Sequence, residues 1–434
     1  MLSQQQNDLV TQTGPGTPGG RLLRSYWQPI ATAEEMPIGG APMPIKILSE
    51  ELVLFRDDSD RLGLIGLHCA HRATDLSYGR VENGGLRCLY HGWLFDINGQ
   101  CIDQPAEPDD KKFCHKVRQT AYRVQEYGGV IWTYMGEGEA PLIPAFQFLD
   151  CPPDNRITFR VVQECNWLQG LESSTDPAHT SYLHRMSEAT LSDTQGGQAA
   201  RNARLFNEDI HPRLAIERTS YGCRIHALRK MSGGENYLRV NNYIYPCGTT
   251  PSSIEAPPTS GYQGRWYVPR DDYSHTRFEF IYQHNGKLDK DKYRQIRAAQ
   301  IAPDKRHKRR AENRYLQDRE ELKRDDTFTG MGRYLAAHDA FAIESAGAIQ
   351  DRTQEHLGST DIVIIELRKA LLAAIKQMEE TGEVPGLLRD PSQNTFPDFI
   401  CTADYALDGE DGPAYCRRIL GRGPSSGPTK VAAE

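Results

Sequence analysis

The sequence predicts a two-domain α+β protein, with an all-β unit over residues 26–145 followed by a larger unit over 146–422 that mixes strands and helices. Three observations predict it. The chain has 434 residues, more than one average domain. From Tyr26 to about Ala145, short apolar runs alternate with turn residues at strand spacing. Past Asn166 that alternation gives way to helical patterns with strands between them.

Taken in order, residues 1–25 form an N-terminal segment expected to pack with the larger domain. Its run Gly14-Pro15-Gly16-Thr17-Pro18-Gly19-Gly20 reads as a loop or ordered turn. No Gly-Lys-Ser/Thr follows, so it is not a phosphate loop. Strand-like runs then occur at Glu51–Phe55, Leu62–Leu67, Leu94–Ile97 and Gly129–Tyr134, and Asn98-Gly99 is a hairpin signal. Residues Asn166 to Met186 look helical. Strands return at Leu214–Arg218, Tyr237–Tyr245 and Arg277–Tyr282, and a charged helical region is expected from Asp289 to Lys323. The clearest helix is Ile362–Glu380, with Ile364, Leu367, Leu371, Ala374, Ile375 and Met378 on one face and Gly382 to end it. Residues 423–434 read as a disordered tail.

Composition narrows the function. A 38% hydrophobic and 25% charged chain is ordinary for a globular protein. With 51 Lys+Arg against 58 Asp+Glu the net charge is −7, which argues against nucleic acid as the main partner. The most basic run, Lys305 to Arg310, reads as a solvated helix face. Residues 1–8 are polar and no stretch approaches the roughly 20 apolar residues of a membrane span, so a soluble, cytoplasmic protein is expected. The ten cysteines are scattered, and in a reducing compartment an ordered pair among them points to a metal site.

Such a pair exists. Cys69-Ala70-His71 and Cys88-Leu89-Tyr90-His91 each offer one thiolate and one imidazole on a tight loop. One iron can take both sulfurs and the other both ring nitrogens, giving a Rieske-type [2Fe–2S] cluster. Two neutral imidazoles in place of thiolates raise its potential to roughly −150 to +300 mV, suited to passing electrons toward oxygen. The competing reading is zinc, but zinc sites of this ligand set usually pair Cys with Cys and His with His. Cys101 and Cys114 lie nearby and read as structural thiols.

Downstream, Asp176, His179 and His184 form Asp-x-x-His-x4-His. Two imidazoles and a carboxylate make the facial triad of a non-haem Fe(II) site with positions open for O2. Asp339 is chosen as the carboxylate, with Asp351, Glu344 and Asp361 as competitors. Asp176 is placed to accept a hydrogen bond from an iron-ligating imidazole.

Together these features resemble the catalytic α subunits of the Rieske non-haem iron aromatic-ring-hydroxylating oxygenases, in detail the phthalate dioxygenase group. The resemblance is carried by Gly14-Pro-Gly-Thr-Pro18, Tyr26-Trp-Gln-Pro29, Cys69-Ala-His-Arg72, Cys88-Leu-Tyr-His-Gly-Trp93, Asn166-Trp-Leu-Gln169, the Asp176/His179/His184 set and Asp351-Arg-Thr-Gln-Glu-His-Leu-Gly358. It implies a helix-grip catalytic domain and a head-to-tail homotrimer (α3, or two such rings stacked as a hexamer). In that trimer Asp176 bridges His71 of a neighbouring subunit to His179. One departure is Glu172, where better-known ring dioxygenases often carry Asn; an acid so near the iron is a candidate for altering protonation or ligation.

The chain has no dinucleotide fingerprint and no four-cysteine ferredoxin run, so a separate NAD(P)H-dependent reductase is expected. Relatives of this group often act on aromatic carboxylates such as phthalate or benzoate, and a buried carboxylate suits a guanidinium fork. Arg213, Arg229 and Arg239 lie on the strand-rich segment expected to line the pocket; a surface arginine is the competing reading of each. The alternatives are O-demethylation of a methoxylated aromatic acid, a Rieske protein that only transfers electrons, and a homologue that has lost iron.

Overall fold

The computed structural model describes residues 1–190, 204–252, 261–284 and 286–421. The tail expected to be disordered lies outside them, apart from which the strand and helix readings can be followed one by one.

Ser3 and Gln6 close a reciprocal cap on α1 (Gln4–Thr11), and Thr17 caps α2 (Pro18–Arg24) with Pro18 in its first turn. The Gly14–Gly20 run is therefore a turn only as far as Thr17, and its last three residues already belong to a helix. Close approach explains the glycines: a Cβ on Gly19 would stand 2.5 Å from the Leu9 carbonyl oxygen. These helices pack on the long helix of the larger domain, and Thr13 ties to Asp272 at 2.8 Å.

The small domain has two antiparallel sheets. One contains β1 (Gln28–Thr32), β2 (Met43–Ile47), β3 (Glu50–Arg56), β4 (Leu62–Gly66), and, after the second sheet, β9 (Ala121–Tyr127) and β10 (Val130–Tyr134), in the order β1-β10-β9-β4-β3-β2. The other runs β5 (Arg80–Glu82), β6 (Gly85–Arg87), β7 (Leu94–Asp96), β8 (Cys101–Asp103). Gly99, at φ 78°, makes the β7–β8 turn that Asn98-Gly99 signals. Val53, Phe55, Ile65, Leu76, Leu86 and Phe95 form a separate small core under the two Cys/His loops.

The large domain is one antiparallel sheet: β11 (Arg156–Gln163), β12 (Arg213–Thr219), β13 (Gly222–Lys230), β14 (Asn236–Ile244), β15 (Gly248–Thr250), β16 (Gly261–Pro269), β17 (His275–Gln283) and β18 (Thr402–Ala406). The order is β11-β17-β16-β15-β14-β13-β12, with β18 also pairing β14. Against it lie α3 (Trp167–Thr175), α7 (Ile362–Thr381) and α8 (Gly412–Ile419); α6 (Leu335–Glu344) packs on α3, and α4 (Lys290–Gln300) and α5 (Arg319–Lys323) complete the helices of this domain. In α7 the buried face carries Leu367, Leu371, Ala374 and Ile375, and Gly382 ends it at φ 74°.

The single charged helical region expected over Asp289–Lys323 is instead α4, a 3-10 turn (Ala311–Leu316) and α5. Arg314 and Tyr315 take positive φ, which interrupts any continuous helix. The basic run Lys305–Arg310 falls in the non-helical connection. No helix among the described residues is long and apolar enough to cross a membrane.

Candidate metal centres and substrate cavity

The two Cys/His loops are close copies in backbone. In the first, the Cys69 N–H donates to Thr74 O at 2.9 Å and the Ala73 N–H to Cys69 O at 2.8 Å. In the second, Cys88 N–H donates to Trp93 O at 2.9 Å and Gly92 N–H to Cys88 O at 3.0 Å. Ala73 and Gly92 both adopt left-handed φ, 59° and 76°, where the loop reverses. Both thiols are buried, and burial together with Cys88 pushes the Cys69 thiol up to about 11, although the His71 and Arg72 amides oppose it. The His71 and His91 rings lie 4.4 Å apart edge to face. Each has a buried Nδ1 without a hydrogen-bond partner, a costly arrangement for a polar atom unless it binds something. Two thiols and two orphaned imidazole nitrogens are the donor set a Rieske cluster requires. Among the described residues, only His179, His184 and Asp339 bring three ligand atoms within 4.8 Å. The Cys/His set does not gather on one point, as four ligands shared between two irons should not. Trp93 stacks on His71 at 4.5 Å and 6°, holding its ring.

In the larger domain, α3 ends at Asp176, whose N–H donates to Glu172 O at 3.1 Å. The Asp176 carboxylate then accepts from the Ala178 N–H at 2.7 Å and the His179 N–H at 3.3 Å, starting the 3-10 turn His179–Ser181. This turn, rather than a regular helix, presents His179 and His184 together. Asp339 enters from α6. Its Oδ1 stands 3.0 Å from His184 Nε2 and 3.8 Å from His179 Nε2, while His179 Nδ1 faces Asp176 Oδ2 at 3.4 Å. Burial opposes a charged Asp339, but His184 and His179 overcome it and hold the carboxyl far below its usual range. Burial likewise opposes Asp176, which His179 lowers, and opposes His179, which Asp176 raises. Asp339 Oδ1 and the two ring Nε2 atoms thus converge, and the buried Oδ1 has no hydrogen-bond partner of good geometry. That trio fits a divalent iron with open positions. The competing acids are occupied elsewhere: Glu344 accepts from Tyr315, Asp351 from Thr353, and Asp361 from Gly358.

Above the trio is a cavity of about 110 Å³ whose walls include Arg239, Asn241, Ser252, Gln263, Arg265 and Glu279. Arg239 reaches it from β14, held by Ser252 through Nε at 2.8 Å and Nη2 at 2.9 Å. Among the described residues no carboxylate pairs with Arg239; burial lowers its pKa. Two expectations are corrected here. Arg213 is exposed on the edge strand β12 and is not among the residues that line the iron cavity. Arg229 is fully buried but serves the backbone, donating to Pro177 O at 3.0 Å and Asp209 O at 3.1 Å, which fixes the chain entering His179.

Glu172 is likewise not an iron-side acid. It is buried and receives Arg352 through Nη2 at 2.8 Å and Nε at 3.1 Å, and Arg368 through Nε at 2.6 Å. Burial opposes its charge, but the two guanidiniums hold the carboxyl below its ordinary value. Arg352 continues to Asn7 of α1 and Arg368 to Glu355, so the network binds three segments at the end of α3. Sequence reasoning missed Arg265, Glu279, Arg297, Arg352 and Arg368. Arg352 and Glu355 lie inside the Asp351–Gly358 motif, so the signal was present without a role attached. Glu279 alternates with apolar neighbours on β17; that inward position was its only mark.

Comparison with known proteins agrees with this layout. Residues 26–126 match the Rieske [2Fe-2S] domain, and residues 133–396 match the family described as LigXa C-terminal domain like. The phthalate 4,5-dioxygenase oxygenase subunit of Pseudomonas putida is 33% identical over 417 residues, 93% of this chain and 92% of that protein. The 5,5'-dehydrodivanillate O-demethylase oxygenase subunit of Sphingobium sp. (strain NBRC 103272 / SYK-6) is 31% identical, covering 91% of this chain and 85% of that one. The oxygenase in its reduced complex with ferredoxin in carbazole 1,9a-dioxygenase superposes with a TM-score of 0.54 at 19% identity, over 85% of this chain and 93% of that one; this likeness is one of fold.

Proposed function

The chain belongs to the Rieske non-haem iron oxygenases, and on that premise we propose that it is the terminal oxygenase component for an aromatic carboxylate of the phthalate or benzoate type. Its cofactors are a Rieske [2Fe–2S] cluster and a mononuclear iron. We assign the cluster to Cys69, His71, Cys88 and His91, and the iron to His179, His184 and Asp339. The observation that carries the substrate class is Arg239, a buried guanidinium on the iron cavity wall with no carboxylate of the described residues to pair with. A substrate carboxylate would complete it, with Asn241 and Gln263 offering further polar contacts.

The iron, when bound, supplies the O2 activation that the protein's own side chains cannot. The residues do the rest. Arg239 fixes the carboxylate end, so the ring is presented to the trio in one orientation. Asp176 takes the proton-bearing Nδ1 of His179, which fixes the tautomer and leaves Nε2 for the iron. Asp176 and His179 also line a second cavity, of about 400 Å³, on the side away from Arg239. In a head-to-tail trimer the neighbouring subunit's cluster would reach Asp176 from there, through the outer edge of His71. Electrons come from a separate electron-transfer protein, which we take to be an NAD(P)H-dependent reductase in the cytoplasm.

A second reading, O-demethylation of a methoxylated aromatic acid, is favoured by the O-demethylase subunit among the relatives and uses the same residues. Oxygen uptake with a surrogate reductase and a panel of aromatic acids tests both. A cis-diol or catechol product supports ring hydroxylation, and a phenol with formaldehyde supports demethylation. Uptake that no aromatic acid stimulates contradicts the substrate class.

A further inference from the structure

The basic run that reads from sequence as a solvated helix face does something else in the fold. Lys308 and Arg309 line a cavity of about 730 Å³ beside the iron cavity, and the two cavities share Gln300 and Tyr334 in their walls. The larger cavity has four cationic side chains, Lys308, Arg309, Arg324 and Arg333, against Glu321 and Asp326. The two acids are already engaged. Asp326 pairs with Arg324 at 2.8 Å, and Glu321 accepts from Thr327 Oγ1 at 2.6 Å and the Gly332 N–H at 3.1 Å.

The other three cations find no carboxylate among the described residues. Lys308 donates to Ala298 O at 2.6 Å, and Arg309 to Leu316 O at 2.6 Å and Tyr315 O at 2.9 Å. Arg333 is exposed and lies over the ring of Tyr334, 5.5 Å from its centroid, so it sits on one of the residues that separate the cavities. His307 lines this cavity, is 3% exposed, and its Nε2 has no hydrogen-bond partner. Burial and the nearby Arg277 push its pKa down to about 3, so the ring is neutral at physiological pH. Unpaired cations on one wall attract one another's counter-ion, and an orphaned polar nitrogen in a dry wall lacks the partner that buried polar groups normally have. Beyond Gln300 and Tyr334 the iron cavity's wall carries Arg239, with which no carboxylate of the described residues pairs, and Arg265 and Arg297 beside Glu279.

We propose that the larger cavity is a carboxylate-binding antechamber, in which Lys308, Arg309 and Arg333 capture an aromatic carboxylate before it passes Gln300 and Tyr334 to the iron cavity. This rests on the aromatic-carboxylate reading above. It goes further by assigning a second, outer binding site and an entry route to residues that touch neither metal.

The test is calorimetric titration of benzoate and phthalate into the full chain loaded with cluster and iron, at low and high ionic strength. Wild type is expected to bind two equivalents, the weaker one salt-sensitive. In the double variant Lys308→Glu/Arg333→Glu the weaker site falls at least about tenfold in affinity while the tighter one persists. Arg239→Gln should do the reverse. Both surface side chains are exposed, and the neutral pair Lys308→Met/Arg333→Met gives an intermediate result that separates charge from any local rearrangement. A single equivalent in wild type, unmoved by the charge reversals, overturns the antechamber and leaves the substrate class standing. No binding of either acid to wild type overturns both.

Discussion

The cluster loops and the iron site differ in how far the chain travels to assemble them, and in how each meets solvent. All four side chains proposed as cluster ligands come from two neighbouring loops, Cys69–Thr74 and Cys88–Trp93, closed by matching backbone hydrogen bonds over their own small core. Their imidazoles remain partly exposed. The trio proposed to hold the iron is split between a turn at the end of α3 and a helix far later in the chain, and Asp339 and His184 are buried. The difference follows from the work each does. A relay must be approached by partner proteins, so it sits on a surface; oxygen chemistry needs a dry pocket, so its ligands are held by a whole domain's packing.

If the two regions are that separate, each should be removable without the other. The largest effect expected is from Asp339→Ala. Iron affinity should fall at least about 100-fold and oxygen uptake with it, while the visible spectrum of the cluster stays as in wild type. His91→Ala should give the mirror image, a colourless protein whose large domain still binds one iron, measured by metal analysis. Loss of both metals in either variant would break the comparison.

Next is the network at the root of α3. Glu172→Gln leaves the buried Arg352 without a carboxylate and takes from Arg368 one of its two, Glu355 remaining, and stability should drop by about 3 kcal/mol in denaturant unfolding. The sign with pH is fixed by the lowered Glu172 pKa. The stabilisation is full above the ordinary glutamate value and is lost as pH falls through the lowered folded value. The gap between wild type and variant should therefore be widest near neutrality and close in acid. A gap that widens in acid would contradict the assignment. Smaller again is Arg239→Gln, expected to raise KM for an aromatic acid about tenfold with both metals retained. An unchanged KM would move the carboxylate anchor elsewhere in the cavity.

Legibility from sequence followed the same division. The two Cys/His loops proposed to hold the cluster show as a repeated local spacing, because loop closure fixes that spacing within a few residues. His179 and His184 show only as a pair. Asp339 carried no spacing signal, and only three-dimensional packing separates it from Glu344, Asp351 and Asp361. Among the arginines, sequence placed Arg213, Arg229 and Arg239 on strands but could not tell an edge strand from a central one, and β12 proved to be the edge. Nor could it show that Glu172 would meet two arginines from distant segments, since ion pairing of that kind has no local pattern. The basic run Lys305–Arg310 was misread because a charge pattern shared by helices and loops does not reveal positive φ at Arg314 and Tyr315.

The central claim is that the cluster feeds the iron through Asp176. A single-turnover experiment tests it without any reductase: the protein is reduced chemically, freed of reductant, and mixed with O2 and an aromatic acid that stimulates uptake. In wild type the cluster should reoxidise in step with product formation. In Asp176→Asn, with cluster and iron content near normal, the cluster should stay reduced and product should be lost. Reoxidation and product formation at the wild-type rate in that variant would contradict the bridge.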